Sequence, residues 1–395
     1  MVDRRLPFGA RKSPAIYNRI TKAIQRMMWR YNHKGQVYLD DFVIIGDNKQ
    51  QCSDALNCLI RLLRKLGLSI NWNKVIDPCK CLTYLGIEID IKNGTLRLDP
   101  AKATALCDLI EVTLQRKRLS KKQIQSLTGK LMWATNVHSF GKAFTLGFFH
   151  ALRTLQQPHH KLLITNTLRS DLKWWLSCLQ TSINTRHIWD KRPSISFHCD
   201  SCLVSGGAFC ETGDWTYVNW RLDRPKLAGQ HINTLELAMI AEGLARWAPA
   251  FPAMHFNIFT DSFVSVCSLN GLKAGNSVAA SLLKDIAHTA VKNNITVTAH
   301  FITGTNNSLA DAVSRLHSPG QAQRFNALLN ALYNGHPRTY WIPQHMSIRS
   351  FNFLLPMFQK YQDLLHNWTA RLPPSNHMPW QRAPGKLMPH ICSHT

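Results

Sequence analysis

Four acidic residues have the types and spacing that metal-assisted phosphodiester chemistry needs. They are Asp200 in SISFHCDSCLVSGGAF, Glu236 in NTLELAMIAEGL, Asp261 in FNIFTDSFVSV and Asp311 in GTNNSLADAVSRL. The chain carries only 23 Asp and Glu against 47 Lys and Arg, so acids at element ends stand out. Two-metal hydrolysis requires carboxylates from different elements that meet at one end of a sheet and hold two Mg²⁺ about 3.5–4 Å apart. The pattern puts Asp200 mid-strand on a polar face and Glu236 on the first turn of a helix. It puts Asp261 at a strand end and Asp311 at a helix start. Each acid alone has a plainer reading. Asn233-x-x-Glu236 and Ser308-x-x-Asp311 both spell capping boxes; Asp261 could cap the helix after it; Asp200 could be an exposed strand residue. All four in this order favour a metal site. A second acidic centre, Asp40 and Asp41, lies between the apolar arms of QVYLDDFVII, a β-hairpin pattern.

The elements that position these residues follow from local signals. Ser13-Pro14 reads as a helix start with Ser13 as cap, and Ile16, Ile20, Ile24 and Met27 recur at helical spacing. A second helix shows Leu56, Leu59, Ile60, Leu63 and Leu66 on one face and ends at Gly67. Residues 68–72 alternate as a short strand, and 83–98 read as a strand pair. From about 101 to 180 the pattern is helical and basic, with Ser120-Lys121-Lys122-Gln123 as a capping box. In 191–317, Ile195, Phe197 and Cys199 alternate with Ser196, His198 and Asp200. Strands are expected there at 206–209, 216–220, 255–260 and 295–302, with helices over about 233–247 and 275–293. Residues 318–395 hold half of the 18 prolines and read as a basic tail with helical pieces at 322–333 and 350–370.

Composition narrows the class. At 395 residues the chain can hold two or three cores. Its formal net charge of +24 points to a polyanionic partner. No run of about 18 apolar residues suggests a membrane span, and MVDRRLPFGARKSP has no apolar signal core. The expectation is a cytoplasmic or nuclear protein that is not secreted. The 11 cysteines form no regular framework and read as reduced thiols. Cys199-x-x-Cys202 has no matching second pair at zinc-finger spacing, so strand alternation accounts for Cys199.

Residues 191–317 resemble a type 1 ribonuclease H domain of a reverse transcriptase. The resemblance rests on the Asp, Glu, Asp, Asp order, the Ser205-Gly206-Gly207-Ala208 turn, and Gly304-Thr305-Asn306-Asn307-x-x-Ala310-Asp311-x-x-Ser314-Arg315. Thr305 stands where many members carry His. Tyr38-Leu39-Asp40-Asp41 resembles the reverse-transcriptase catalytic hairpin, and Leu6-Pro7-Phe8-Gly9-x-x-x-Ser13-Pro14 the nucleotide- and template-contacting motif before it. Lys74 matches the lysine proposed to protonate pyrophosphate, and Tyr84-Leu85-Gly86 the primer grip. Leu127-Thr128-Gly129-Lys130-Leu131, Gly141-Lys142 and Asp171-Leu172-x-Trp174-Trp175 look most like tyrosine-recombinase (DIRS-type) retrotransposons.

The resemblance implies an α/β (α+β) fold in four regions. Residues 1–90 would be a partial reverse-transcriptase palm and 91–190 a mainly helical thumb and connection. Residues 191–317 would be a ribonuclease-H-like mixed five-stranded sheet with flanking helices, and 318–395 a basic, proline-rich tail. It implies an Mg²⁺ (or Mn²⁺) ribonuclease that cuts the RNA strand of RNA–DNA hybrids, with Asp200, Glu236, Asp261 and Asp311 as catalytic ligands. Asp40 and Asp41, with Tyr38 and Lys74, would mark the polymerase motif and its metal. Arg116, Lys117, Arg118, Lys121, Lys122 and Asn306, with Lys130 and Lys142, would contact a hybrid or an RNA or DNA template-primer through its backbone. The remainder of a retroelement polyprotein is a further expected partner. A non-catalytic nucleic-acid-binding remnant is the main alternative. An integrase or transposase fits less well, because those acidic sets usually end in Glu. A polymerase of this kind needs a third Asp on a strand before the LPFG segment, where Asp3 is too close to serve. The purified chain is therefore expected not to extend a primed RNA template with dNTPs and Mg²⁺; extension would contradict this.

Overall fold

The computed structural model describes residues 9–157, 159–180, 185–332, 347, 349–350 and 353–354. Leu6, Pro7 and Phe8 of the LPFG segment, Asp3, and most of the helical piece expected at 350–370 lie outside the described residues. The chain divides into two compact units, 1–191 and 192–395. No helix among the described residues is long and apolar enough to cross a membrane.

The first unit opens with α1 (Ser13–Arg30). Lys12, without a side-chain cap bond, takes the flanking position expected for Ser13, which is already helical. The hairpin follows as β1 (Lys34–Tyr38) and β2 (Asp41–Ile45), with Tyr38 opposite Asp41. Next is α2 (Lys49–Lys65), capped by Asn48, whose side chain accepts from the Gln51 N–H. Ile24 and Met28 of α1 pack with Ala55 and Leu59 of α2, with Phe42 and Ile44 against them. The face of α1 that packs is therefore not the expected one: Ile16, Ile20 and Met27 are exposed, while Thr21, Ile24, Gln25 and Met28 are buried. Gln25 is drawn inward because its Nε2 donates to the Gly35 carbonyl at 2.8 Å, a polar contact that apolar spacing does not register.

The strand expected at 68–72 is absent; a 3-10 turn at Trp72–Lys74, capped by Asn71, stands there. Residues 83–98 form three strands rather than two: β3 (Cys81–Tyr84), β4 (Ile87–Asp90) and β5 (Thr95–Leu98). Then come α3 (Pro100–Gln115), β6 (Arg118–Ser120), α4 (Lys121–Ala134), α5 (Leu146–Thr154), β7 (Lys161–Leu163), α6 (Asn166–Gln180) and β8 (Thr185–His187). β8 completes an antiparallel sheet in the order β3-β4-β5-β8. The expected capping box forms at α4: Gln123 N–H donates to Ser120 Oγ, and Ser120 N–H donates to Gln123 Oε1 at 2.8 Å. Trp174 and Trp175 are core, with Trp174 stacked on Phe144 at 3.9 Å.

The second unit is a five-stranded mixed sheet, as the sequence implied. Its strands are β9 (Ser194–Ser201), β10 (Ser205–Cys210), β11 (Trp215–Asn219), β12 (His255–Thr260) and β13 (Thr296–Phe301), in the order β11-β10-β9-β12-β13. β9, β10 and β11 form an antiparallel meander; β12 runs parallel to β9 and β13 parallel to β12. The helices are α7 (Trp220–Asp223), α8 (Ile232–Trp247), α9 (Phe263–Gly271), α10 (Ser277–Lys292), α11 (Ser308–Ser314) and α12 (Gln321–Leu332). α9 falls between the strand expected at 255–260 and the helix expected over 275–293, where a helix entered only as one that Asp261 could cap. It is short, and its exposed Phe263 and Val264 break the usual one-sided apolar pattern.

Two glycines let helices approach the sheet closely. A Cβ on Gly206 would lie 2.6 Å from Met239 Sδ of α8, and one on Gly207 would lie 2.3 Å from the Ser314 backbone N of α11. Gly207 pairs with Asp200 across β10 and β9, so α11 comes to rest beside Asp200. α12 occupies the first helical piece expected in the tail. It buries Ala322, Phe325 and Leu329 with Phe209, Trp215, Tyr217, Val313 and Leu316.

Candidate active site

Three of the four predicted acids converge. Asp200 leaves β9, Glu236 comes from the second turn of α8, and Asp261 follows the end of β12; each offers a carboxylate oxygen, and these lie within 4.8 Å of one another. Asp200 and Glu236 are 4% and 6% exposed, and Asp261 is the most open of the three. The local-capping readings do not account for them. The cap of α8 is His231, whose Nδ1 accepts from the Asn233 N–H at 3.2 Å. The cap of α9 is Ser262, and Asn307 flanks α11 without a side-chain cap bond. Glu236 instead reaches the sheet, where its Oε1 accepts from the Ser201 N–H at 3.2 Å.

The electrostatics are those of a site short of positive charge. Burial, then the charges of Asp200 and Asp261, push the Glu236 carboxyl up to about 9. Burial raises Asp200 to about 6, against the bond it accepts from Ser314 Oγ. Burial also raises Asp261, and the charge of Asp311 adds to it. Glu236 Oε2 is buried with no hydrogen-bond partner among the described residues. Buried carboxylate oxygens are normally paired, and an all-oxygen donor set suits Mg²⁺ or Mn²⁺. The residues present therefore fit a divalent cation.

A pH dependence follows. An acid whose folded value is raised stabilises the fold fully only below its unfolded value, and that contribution is lost as pH rises through the folded value. For Asp200 the window runs from 3.8 to about 6, and for Glu236 from 4.5 to about 9. The Tm of the metal-free protein is expected to fall from pH 5 to pH 9. Mg²⁺ should restore it more at pH 9 than at pH 5, by roughly 5 °C or more. A scanning-calorimetry series that is flat in pH and unmoved by Mg²⁺ would contradict this.

Asp311 is near enough to raise its neighbours but is held apart from them: its Oδ1 accepts from Arg315 Nε at 2.7 Å and its Oδ2 from Arg324 Nη1 at 2.6 Å. Sequence reasoning missed the supporting roles of four residues. Ser314 donates to Asp200, and Ser205 Oγ in turn donates to the Ser314 carbonyl at 2.6 Å. Asn307, fully buried, donates from Nδ2 to the Cys199 carbonyl at 2.9 Å and so ties the 304–307 turn to β9. Arg324 lies nine residues beyond the quoted motif. The Ser at the third position after Asp311 was a legible signal for the first; nothing in the sequence marked Arg324. Gly304 faces Asp261, and a Cβ there would meet Asp261 Oδ2 at 3.3 Å. Thr305 and Asn306 are exposed, and Thr305 Oγ1 pairs with Thr303 Oγ1 at 2.9 Å.

In the first unit Asp40 and Asp41 sit exposed at the hairpin tip, and Leu39 adopts φ 54°, unusual for a branched side chain. Tyr38 is exposed, and Tyr84 Oη donates to the Asp41 carbonyl at 3.2 Å. Lys74 is exposed at the end of its 3-10 turn. Arg116, Lys117 and Arg118 are exposed on the link from α3 into β6, and Lys122 and Lys130 are exposed on α4. Lys121 donates to the Gln156 carbonyl at 3.0 Å, and Lys142 is half-buried.

Residues 1–89 match the reverse transcriptase (RNA-dependent DNA polymerase) family. The hairpin acids lie within that segment. Over 337 residues the chain is 22% identical to Polyprotein P3 of Commelina yellow mottle virus, covering 79% of this chain and 16% of the polyprotein. It is 29% identical over 91 residues to Protein P of a duck hepatitis B virus, covering 22% of this chain and 12% of that protein. The chain thus spans a small fraction of the length of these relatives. Solved structures similar to it include the foamy viral protease–reverse transcriptase in complex with RNA/DNA hybrid. That match has 14% identity and a TM-score of 0.39, over 75% of this chain and 39% of that one. RNase H1 from Halobacterium salinarum matches at 13% identity and a TM-score of 0.25, over 30% of this chain and 93% of that one.

Proposed function

We propose that the second unit is a divalent-metal ribonuclease that cuts the RNA strand of RNA–DNA hybrids, joined to a reverse-transcriptase segment. The observation that carries this reading is the convergence of Asp200, Glu236 and Asp261, with Glu236 Oε2 buried and unpartnered. Asp200, Glu236 and Asp261 would hold the metal, with Asp311 joining them. Two cations held there would supply an activated water and stabilise the leaving oxygen. The chain's own residues prepare for this. Ser314 fixes the Asp200 carboxylate, the Ser201 N–H fixes Glu236, and Gly304 leaves space beside the Asp261 carboxylate. Cleavage would be endonucleolytic, leaving 3′-hydroxyl and 5′-phosphate ends, with Glu236 nearest the 2′-hydroxyl. Asp40 and Asp41 with Tyr38 and Lys74 would be the polymerase-side counterpart.

The exposed Arg116, Lys117, Arg118 and Lys122, with Lys121 and Asn306, would contact the nucleic-acid backbone, in keeping with the formal net charge of +24. The similarity to Polyprotein P3 supports placing the chain within a larger polyprotein. For the element type we favour a tyrosine-recombinase retrotransposon, on the Leu127–Leu131 and Asp171–Trp175 segments.

The test is substrate discrimination: one RNA sequence offered to the full chain with Mg²⁺ as a single strand, as duplex RNA, and as a hybrid with DNA. Cleavage of the hybrid alone is expected. Equal cleavage of all three would overturn the reading.

A further inference from the structure

The fourth acid is satisfied in a way the other three are not. Both Asp311 oxygens are taken by guanidinium groups, Arg315 one turn further along α11 and Arg324 from α12. Arg324 Nη1 also donates to Gln321 Oε1 at 3.2 Å, which steadies it on its own helix. α12 itself is anchored: Phe325, next to Arg324, is buried and meets the Trp215 ring edge-on at 5.1 Å, while Ala322 and Leu329 complete the buried face. The core of the unit thereby delivers Arg324 to Asp311. Asp200, Glu236 and Asp261 share one space, and Asp311 is not a member of that group.

On the reading of these acids as a metal centre, we propose that Arg324 competes with a divalent cation for Asp311 and so sets the metal concentration at which the site fills. A guanidinium and a metal ion cannot use the same carboxylate lone pairs, and two neighbouring cations repel. Asp311 joins the other acids only as Arg324 lets go. Arg315 is sequence-local to Asp311 and follows it; Arg324 belongs to a separately packed helix and is the partner that can be removed cleanly.

The experiment is a Mn²⁺ titration of the full chain by calorimetry, without nucleic acid, on wild type, Arg324→Gln, Arg324→Lys, Asp311→Asn, the Arg324→Gln/Asp311→Asn double variant and Asp261→Asn. Arg324→Gln is expected to tighten the weaker Mn²⁺ event by about two- to fivefold, the range that loss of a half-exposed ion pair allows. Arg324→Lys should fall between it and wild type. On an Asp311→Asn background the Arg324 substitution should change nothing. The Mg²⁺ midpoint for hybrid cleavage should fall by a matching factor. If wild type binds Mn²⁺, Asp261→Asn weakens it, and Arg324→Gln overlays wild type, this proposal fails while the metal-site reading stands. If no form binds Mn²⁺, both fail.

Discussion

Asp261→Asn is expected to reduce hybrid cleavage by about 10³-fold or more while the protein remains folded and still binds the hybrid. Asp261 is the most open of the three converging acids, so the isosteric amide has room and leaves the core untouched. It removes one full charge from a cluster whose oxygens lie within 4.8 Å of one another. That charge contributes to the rise of Glu236 in the metal-free state, so the variant should melt slightly higher than wild type without metal. Loss of cleavage with gain of stability separates a metal ligand from a structural acid. A variant that cuts at the wild-type rate, or that unfolds, would contradict the assignment.

Gly207→Ala is expected to cost about 3 kcal/mol or more and to lower Tm by roughly 6 °C or more. The added Cβ would lie 2.3 Å from Ser314 N and 2.7 Å from the Val313 carbonyl carbon, both backbone atoms of α11. A side chain could rotate away; a helix backbone has to move as a body. Moving α11 displaces Ser314 from Asp200 and shifts Asp311, so cleavage should fall as well. Gly129 is the control. It stands inside α4 with nothing within 4 Å of a Cβ, and Gly129→Ala should raise stability by about 0.5–1 kcal/mol. Equal melting of wild type and Gly207→Ala would sink the close-packing account.

Residues 191–317 were legible because each signal there agreed with its neighbours. Strand alternation placed Ile195, Phe197 and Cys199 inward, while the close helix approach at Gly206 and Gly207, read from sequence only as a glycine-rich turn and strand start, became visible in the structure. The acids were found by type and order, and three of them meet. Of their partners, Ser314 stood in the quoted motif, whereas Arg324 was not legible, because it acts through a tertiary contact that no local period encodes. The first unit was harder to read. α1 buries Gln25 and exposes Ile16 and Ile20, against its own apolar spacing, because a glutamine amide serves the Gly35 carbonyl. The alternation at 68–72 lost to an Asn-capped 3-10 turn, where Asn71 accepts from the Asn73 N–H at 3.2 Å.

The most direct test of the metal-centre reading is the fate of an RNA strand, labelled at its 5′ end and annealed to DNA, incubated with the full chain and Mg²⁺. Internal cuts bearing 3′-hydroxyl ends, abolished by EDTA, are the predicted result. An intact RNA strand on a hybrid that the protein demonstrably binds would contradict it.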